Sequence, residues 1–342
     1  MPDERPTDGP LTQIATAIWN AIAENVPRDL TWPILLLTVV LATGIWFLRR
    51  GHGSKDVDGR VRHAGLVEFL LPRRIYTHVS ARVDIWLYVV DRVMRLLWAP
   101  TILVAVAPWT EQAMLSTLGA AFGGGPALEP NYGWMLLYSL VILLCYDFVF
   151  FLIHYTEHKV PALWAIHKVH HSAEVLTPLT RYREHFLEAP LYAFGAALSF
   201  GFAAGVFSWL FEDSITQATL FNIGFFALLF GFTGSFRHYH VAFHYPRWLS
   251  KWLHSPVMHH IHHSYLPQHW DKNFAAVTSI FDRLFGTMYI PVKDEYTPWG
   301  LGPETQDQYR TFRQNVAGPF RDWYEMARTP QLAGSEAKVR TR

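Results

Sequence analysis

Three histidine motifs constrain this chain more than any other feature. They read His154-Tyr-Thr-Glu-His158, His167-Lys-Val-His170-His171 and, far downstream, His259-His-Ile-His262-His263. Imidazole is the commonest protein ligand for transition metals. A fold that uses all three motifs must bring distant segments to one place, and so many donors imply a site for more than one ion. In a helix, residues at i, i+3 and i+4 share a face. Each HxxHH motif therefore presents three imidazoles within an arc of about 100°, with His260 at its edge, and the HxxxH motif adds two more one turn apart. Pro161 suits the first turn of a helix carrying His167. Ser255-Pro256 reads as an N-cap followed by proline at the first helical position, opening the helix of the third motif.

Apolar segments surround these motifs. A spanning helix needs about 20 mainly apolar residues. Leu30–Leu48, Tyr132–Ile153, Leu191–Leu210 and Ile215–Phe236 qualify, the last two alternatively as one re-entrant hairpin. Ile85–Trp109 is weaker, interrupted by Asp91, Arg92 and Arg95, of which Asp91 and Arg95 can pair at i,i+4. Charged residues make up only 17% of the chain, against about 25% in soluble domains. The formal net charge of +1 gives no electrostatic case for nucleic-acid binding. The single cysteine, Cys145, excludes an internal disulfide framework and a four-cysteine metal site.

Loop charges agree with one topology. Arg49, Arg50, Lys55, Arg60, Arg62, Arg73, Arg74 and Arg82 follow the first span and mark that loop cytoplasmic by the positive-inside rule. The Gly-rich stretch Glu111–Asn131 lacks Lys and Arg and reads as an external loop. His154–Arg183 and the chain from Arg237 onward read as cytoplasmic, so all three motifs fall on one side. The expected fold class is all-α: a multi-pass transmembrane helical bundle with a cytoplasmic, helical, histidine-rich cap. Its expected parts are an external segment 1–29, N-terminal spans and a basic loop 30–131, a catalytic domain 132–291 and a cytoplasmic tail 292–342.

Further residues accompany the motifs. Asp147 lies two turns before His154 on the same helical face. A carboxylate at membrane depth costs about 2.5–3.5 kcal/mol and needs a partner, and orienting an imidazole is a natural role; a packing hydrogen bond to a hydroxyl is the alternative. Glu188 and Asp271 are candidates of the same kind. His185, His238 and His240 lie at the same predicted face. Lys159, Lys168, Arg181 and Arg183 form a basic cluster suited either to an acidic electron carrier or to anionic lipid headgroups.

This pattern resembles the fatty acid hydroxylase/sterol desaturase superfamily of integral-membrane di-iron oxygenases over roughly Tyr132–Pro291. The segment from Asp147 to His158 is similar to its first histidine box. Trp164–Ser172 resembles the second, and Ser255–Ser264 the last. Thr180–Glu188 is similar to the family's Arg-x-His-Pro-x-Glu segment, with Phe186 where proline is usual. Arg237-His238-Tyr-His240 resembles its short histidine motif, with His240 where asparagine is common. Asp271–Phe274 and Phe281–Thr287 are similar to its trailing signature, where Ala275 is a further departure.

The resemblance implies a membrane oxygenase that hydroxylates or desaturates a lipid, sterol or other long apolar substrate using O₂. It implies two iron ions held by His154, His158, His167, His170, His171, His238, His259, His262 and His263. His185, His240, Asp147, Glu188 and Asp271 remain possible ligands or supporting residues. No GxGxxG or CxxC motif is present, so electrons are expected from a separate reductase or carrier protein. The competing classes are a divalent-metal transporter, a membrane zinc hydrolase and a metal-stapled structural protein; the HExxH motif of zinc proteases is absent.

Overall fold

The computed structural model describes residues 32–49, 54–55, 61–62, 65–212, 234, 236–292 and 295–328. Apart from a two-residue antiparallel pair, Ser54–Lys55 with Val61–Arg62, the regular elements described are helical. The anticipated span Ile215–Phe236 lies almost wholly outside the described residues, as do the 1–29 segment and the tail after Thr329.

Helix α1 covers Trp32–Arg49 and is followed by the short helices α2 (Leu66–Leu70) and α3 (Arg73–Tyr76). Helix α4 then runs unbroken from Val79 to Phe122, 44 residues. The interrupted span Ile85–Trp109 is thus part of a longer element, and the loop expected from Glu111 begins only after Phe122. Both differences have a local cause. Asp91, 1% exposed, pairs with Arg95 at 2.8 Å and with Arg92, so charges that look disruptive in sequence neutralise one another along the helix. Glu111 is held by the Ser208 hydroxyl at 3.0 Å, which ties the extra turns of α4 to the neighbouring helix.

Among the described residues, two helices are long and apolar enough to cross a membrane: α5, Tyr132–Lys159, mean hydropathy 2.5, and α7, Ala189–Phe211, mean hydropathy 1.6. Asn131 caps α5, its side chain accepting from the Trp134 N–H at 3.1 Å. Helix α7 packs closely along α4. A Cβ on Gly201 would sit 2.3 Å from the Ala107 carbonyl oxygen, and one on Gly205 would sit 2.7 Å from that of Glu111. Such small-xxx-small spacing lets backbones approach in apolar surroundings.

At its far end α5 turns through Val160 into α6, Pro161–His171, with Pro161 in the first turn as the sequence suggests. The first two motifs are thereby folded against each other. Helix α8 (Arg247–Ser250) precedes α9, Pro256–His262, which starts at Ser255-Pro256 as expected, although the Ser255 side chain makes no capping hydrogen bond. Helix α10 (Ile280–Leu284) follows, and the C-terminal helix α11, Phe312–Arg328, covers α6. Trp323 donates to the Ala162 carbonyl at 2.7 Å and Lys168 pairs with Asp322 at 2.9 Å.

Candidate metal centre

The end of α5, the second half of α6, the end of α9 and the segment at His238 meet in one buried knot. It contains two groups of imidazoles whose ring nitrogens lie within 4.8 Å of one another: His154, His158, His167, His171 and His262 in one, His170, His238, His259 and His263 in the other. All nine are buried. The groups divide each HxxHH motif between them. His167 and His171 face one way while His170 faces the other, and His262 separates likewise from His259 and His263. They share a wall, since the His171 and His263 rings stack with centroids 4.8 Å apart. The three imidazoles of an HxxHH motif, expected in a single cavity, thus serve two adjacent ones.

Spacing and proton placement show what such groups suit. In the five-histidine group, His154 Nε2 lies 3.1 Å from His167 Nε2, His167 Nε2 lies 3.1 Å from His171 Nε2, and His171 Nε2 lies 3.2 Å from His158 Nε2. The four-histidine group repeats this at 2.8 Å (His259–His238), 3.0 Å (His263–His259) and 3.2 Å (His170–His238 and His263–His238). A transition metal binds imidazole nitrogen at about 2.0–2.1 Å, and donors at right angles around it lie about 3 Å apart.

A neutral imidazole carries one N–H. His154 Nδ1 lies 2.7 Å from the Phe274 carbonyl and His262 Nδ1 lies 2.8 Å from that of Lys272. A carbonyl only accepts, so both Nδ1 atoms carry the hydrogen and both Nε2 atoms are bare lone pairs. Protonation does not relieve their crowding. Burial lowers the pKa of His170 to about 3 and that of His262 to about 4, and pushes His171, His238, His259 and His263 well down, their imidazole neighbours adding to the effect. Neutral lone pairs converging in a dry site fit a cation.

Carboxylates brace one imidazole. Glu188 Oε1 accepts from His167 Nδ1 at 2.8 Å, and Glu157 Oε2 lies 3.4 Å from the same nitrogen while accepting from the Tyr192 hydroxyl at 2.6 Å. Burial first, then the neighbouring Glu157 and Glu184, raise the Glu188 carboxyl well above its ordinary pKa, a cost that a cation beyond His167 would offset. Glu188 therefore stands where an orienting carboxylate was anticipated. Glu157 and Tyr192 were missed. The available signal is that Glu157 sits inside the first motif, directly before His158.

Other candidates fall elsewhere. Asp147 reaches no imidazole; it accepts from the backbone N–H groups of Ala276, Val277 and Thr278 at 2.8–2.9 Å and from the Thr278 hydroxyl at 2.5 Å. It thereby anchors the loop whose Phe274 carbonyl meets His154, acting on the site at one remove. Asp271 Oδ1 is 3.8 Å from His158 Nδ1, and its other oxygen accepts from Lys159 at 2.6 Å. His185 lies outside both groups, bonded to the Val316 carbonyl at 3.1 Å, and so does His240, bonded to the Phe69 carbonyl at 2.9 Å. Of the basic cluster, Lys159 and Arg181 are half-buried, whereas Lys168 is buried on Asp322 and Arg183, 1% exposed, pairs with Asp84 at 2.8 Å. Charge in the sequence did not reveal that the latter two cations are consumed internally.

The described residues thus combine an all-α fold, two membrane-length apolar helices and a double polyhistidine knot whose donors could hold metal ions. Residues 139–287 match the fatty acid hydroxylase family. The chain is 26% identical over 162 residues to an alkylglycerol monooxygenase of Xenopus tropicalis, covering 44% of this chain and 30% of that protein. It is 25% identical over 197 residues to the ornithine lipid hydroxylase OlsE of Rhizobium tropici, covering 55% of this chain and 52% of that protein. A human alkylglycerol monooxygenase is 26% identical over 155 residues, covering 45% of this chain and 31% of the relative. The match thus spans about a third to a half of these relatives' lengths. No solved structure matches. It is thus the histidine-bearing segment, rather than the whole chain, that is similar to the fatty acid hydroxylase family and to these relatives.

Proposed function

We propose that the chain is an integral-membrane, non-haem di-iron oxygenase that hydroxylates an unactivated C–H bond of a lipid-like substrate. The observation that carries this reading is the pair of imidazole groups, five and four donors, at the end of an apolar membrane-length helix. A structural zinc site closes with four ligands, whereas nine donors in two adjoining groups suit two ions that act together. The names of the relatives, a monooxygenase and a hydroxylase of lipids, favour hydroxylation over desaturation.

In this reading His154, His158, His167, His171 and His262 hold one iron, and His170, His238, His259 and His263 hold the other. Reduced iron supplies O₂ activation and C–H oxidation when bound. The protein's own residues set the conditions. Phe274 and Lys272 carbonyls fix the tautomers of His154 and His262, Glu188 fixes that of His167, and burial excludes bulk water from the knot. A separate donor supplies two electrons per turnover. The ion-bearing end of α5 lies on the cytoplasmic side, with α1, α4, α5 and α7 crossing the bilayer and residues 132–291 forming the catalytic domain.

A divalent-metal transporter places ligands near the midplane of several spans, whereas these donors gather beyond the end of one. The deciding experiment compares the lipids of cells with and without the chain. A product 16 mass units heavier than its precursor, formed only with O₂ and lost in His170→Ala, is expected. Metal flux into liposomes with no oxidised lipid contradicts the reading.

A further inference from the structure

A small cleft opens onto the five-histidine group beyond the C-terminal end of α5. It has a cavity volume of about 70 Å³ and is lined by His158, His171, Trp164, Tyr265, Trp270 and Asp271, among others. It reaches a buried group: His158 is 8% exposed and His171 5%, against 2% for His154 and His167 of the same group. The volume admits a few waters, a bare ion or a diatomic gas, but no acyl chain or ring system. The cleft lies past the last turn of α5, away from the apolar stretch that begins at Tyr132.

Its rim is specified by the chain. The Trp270 indole N–H donates to the Tyr265 carbonyl at 2.9 Å, pinning the ring at the cleft. Asp271 follows in the left-handed region at φ +55, as does Asn273 at φ +61. Both conformations are uncommon for residues other than glycine and are held by surrounding contacts. Asp271 is held by Lys159 at 2.6 Å, so the last side chain of α5 is tied to the rim. Asn273 donates to the Met258 and Tyr289 carbonyls at 2.9 and 2.8 Å.

We propose that this cleft is an aqueous port to the five-histidine group, passing metal ions and small molecules such as water and O₂, with Trp270 as its obstructing side chain and the Lys159–Asp271 pair as its latch. The substrate then uses a different approach, because no lipid-sized group fits here. The proposal rests on the reading of that group as a metal site.

The test follows Co²⁺ binding to the purified, metal-free full-length protein by visible absorption, with uptake and chelator-induced release timed separately. Among the described residues Trp270 stacks on no imidazole of either group and its indole N–H donates to the Tyr265 carbonyl, so Trp270→Ala widens the port while keeping the donors. Entry and exit rates should both rise, each about tenfold, with Kd unchanged; Trp270→Phe, which keeps the bulk, should behave as the parent. If Trp270→Ala does not fold, Asp271→Gly carries the same test, because glycine suits its backbone conformation. Rates equal to the parent's, or a faster release with unchanged uptake, overturn the port; the latter assigns the residue to holding His158 in place. A parent protein that takes up no Co²⁺ overturns the metal reading and the port together.

Discussion

The two imidazole groups use the same residue type and both draw on α6 and α9, yet they are held differently. In the five-histidine group the outer nitrogens of His154 and His262 donate to carbonyls, and that of His167 meets Glu188. In the four-histidine group the outer nitrogens of His238, His259 and His263 are buried without a hydrogen-bond partner among the described residues. A ligand imidazole whose second nitrogen is fixed is pre-oriented and more basic. The difference teaches that one group is organised before an ion arrives, while the other is shaped by the ion it receives. The first should fill at lower metal concentration and release more slowly.

Removing a ligand should have the largest effect and should sort by group. His262→Ala is expected to empty the five-histidine group and His170→Ala the four-histidine group, each abolishing lipid oxidation while the protein still inserts. Metal analysis checks this: one ion lost per variant is expected, and His170→Ala with full activity contradicts the assignment. The brace comes next. Glu188→Gln should weaken the tighter ion about 10–100-fold and leave the weaker one unchanged, as read by competition against a chelator; equal loss at both would erase the proposed asymmetry.

Asp147 tests the support of His154 through the 274–278 loop. Asp147→Asn replaces a carboxylate that gathers three backbone N–H groups and a hydroxyl. It should destabilise the protein by about 2–3 kcal/mol, measured by thermal unfolding in detergent, and should loosen the ion beside His154 more than its neighbour.

The smallest contrast concerns pH, which should treat the groups alike. His170 and His262, one from each, are held by burial at about 3 and about 4, below the ~6.5 of an unfolded chain. Below about pH 6.5 the unfolded state takes up protons that the folded state refuses, so stability is present above that pH and falls as pH drops toward 4 and 3. Metal-free protein should melt at a lower temperature at pH 5 than at pH 7.5; a higher melting temperature at pH 5 contradicts this.

Much of the site was legible because ligand spacing is local. HxxxH and HxxHH phase their imidazoles by helix geometry alone, and Pro161 and Pro256 mark where two of the helices begin. The division of each HxxHH motif between two imidazole groups was not legible, because it depends on how α6 and α9 face each other. The start of α5 at Tyr132 could be read from its apolar run. The length of α4 could not, because Asp91, Arg92 and Arg95 look like a break until their pairing is seen. Asp147 announced that it needed a partner, but its partners lie in residues 276–278, and no periodicity connects the two. Arg183 and Lys168 looked like surface charge for the same reason: their acidic partners, Asp84 and Asp322, are distant in the chain.

The central claim is that nine imidazoles hold two ions of unequal affinity. Anaerobic titration of the metal-free protein with Fe²⁺, followed by equilibrium binding and total metal analysis, tests it most directly. The account predicts two iron ions per chain bound in two resolved steps, the tighter step abolished in His262→Ala and the weaker in His170→Ala. A single ion per chain, or one tightly held zinc that iron cannot replace, would contradict it.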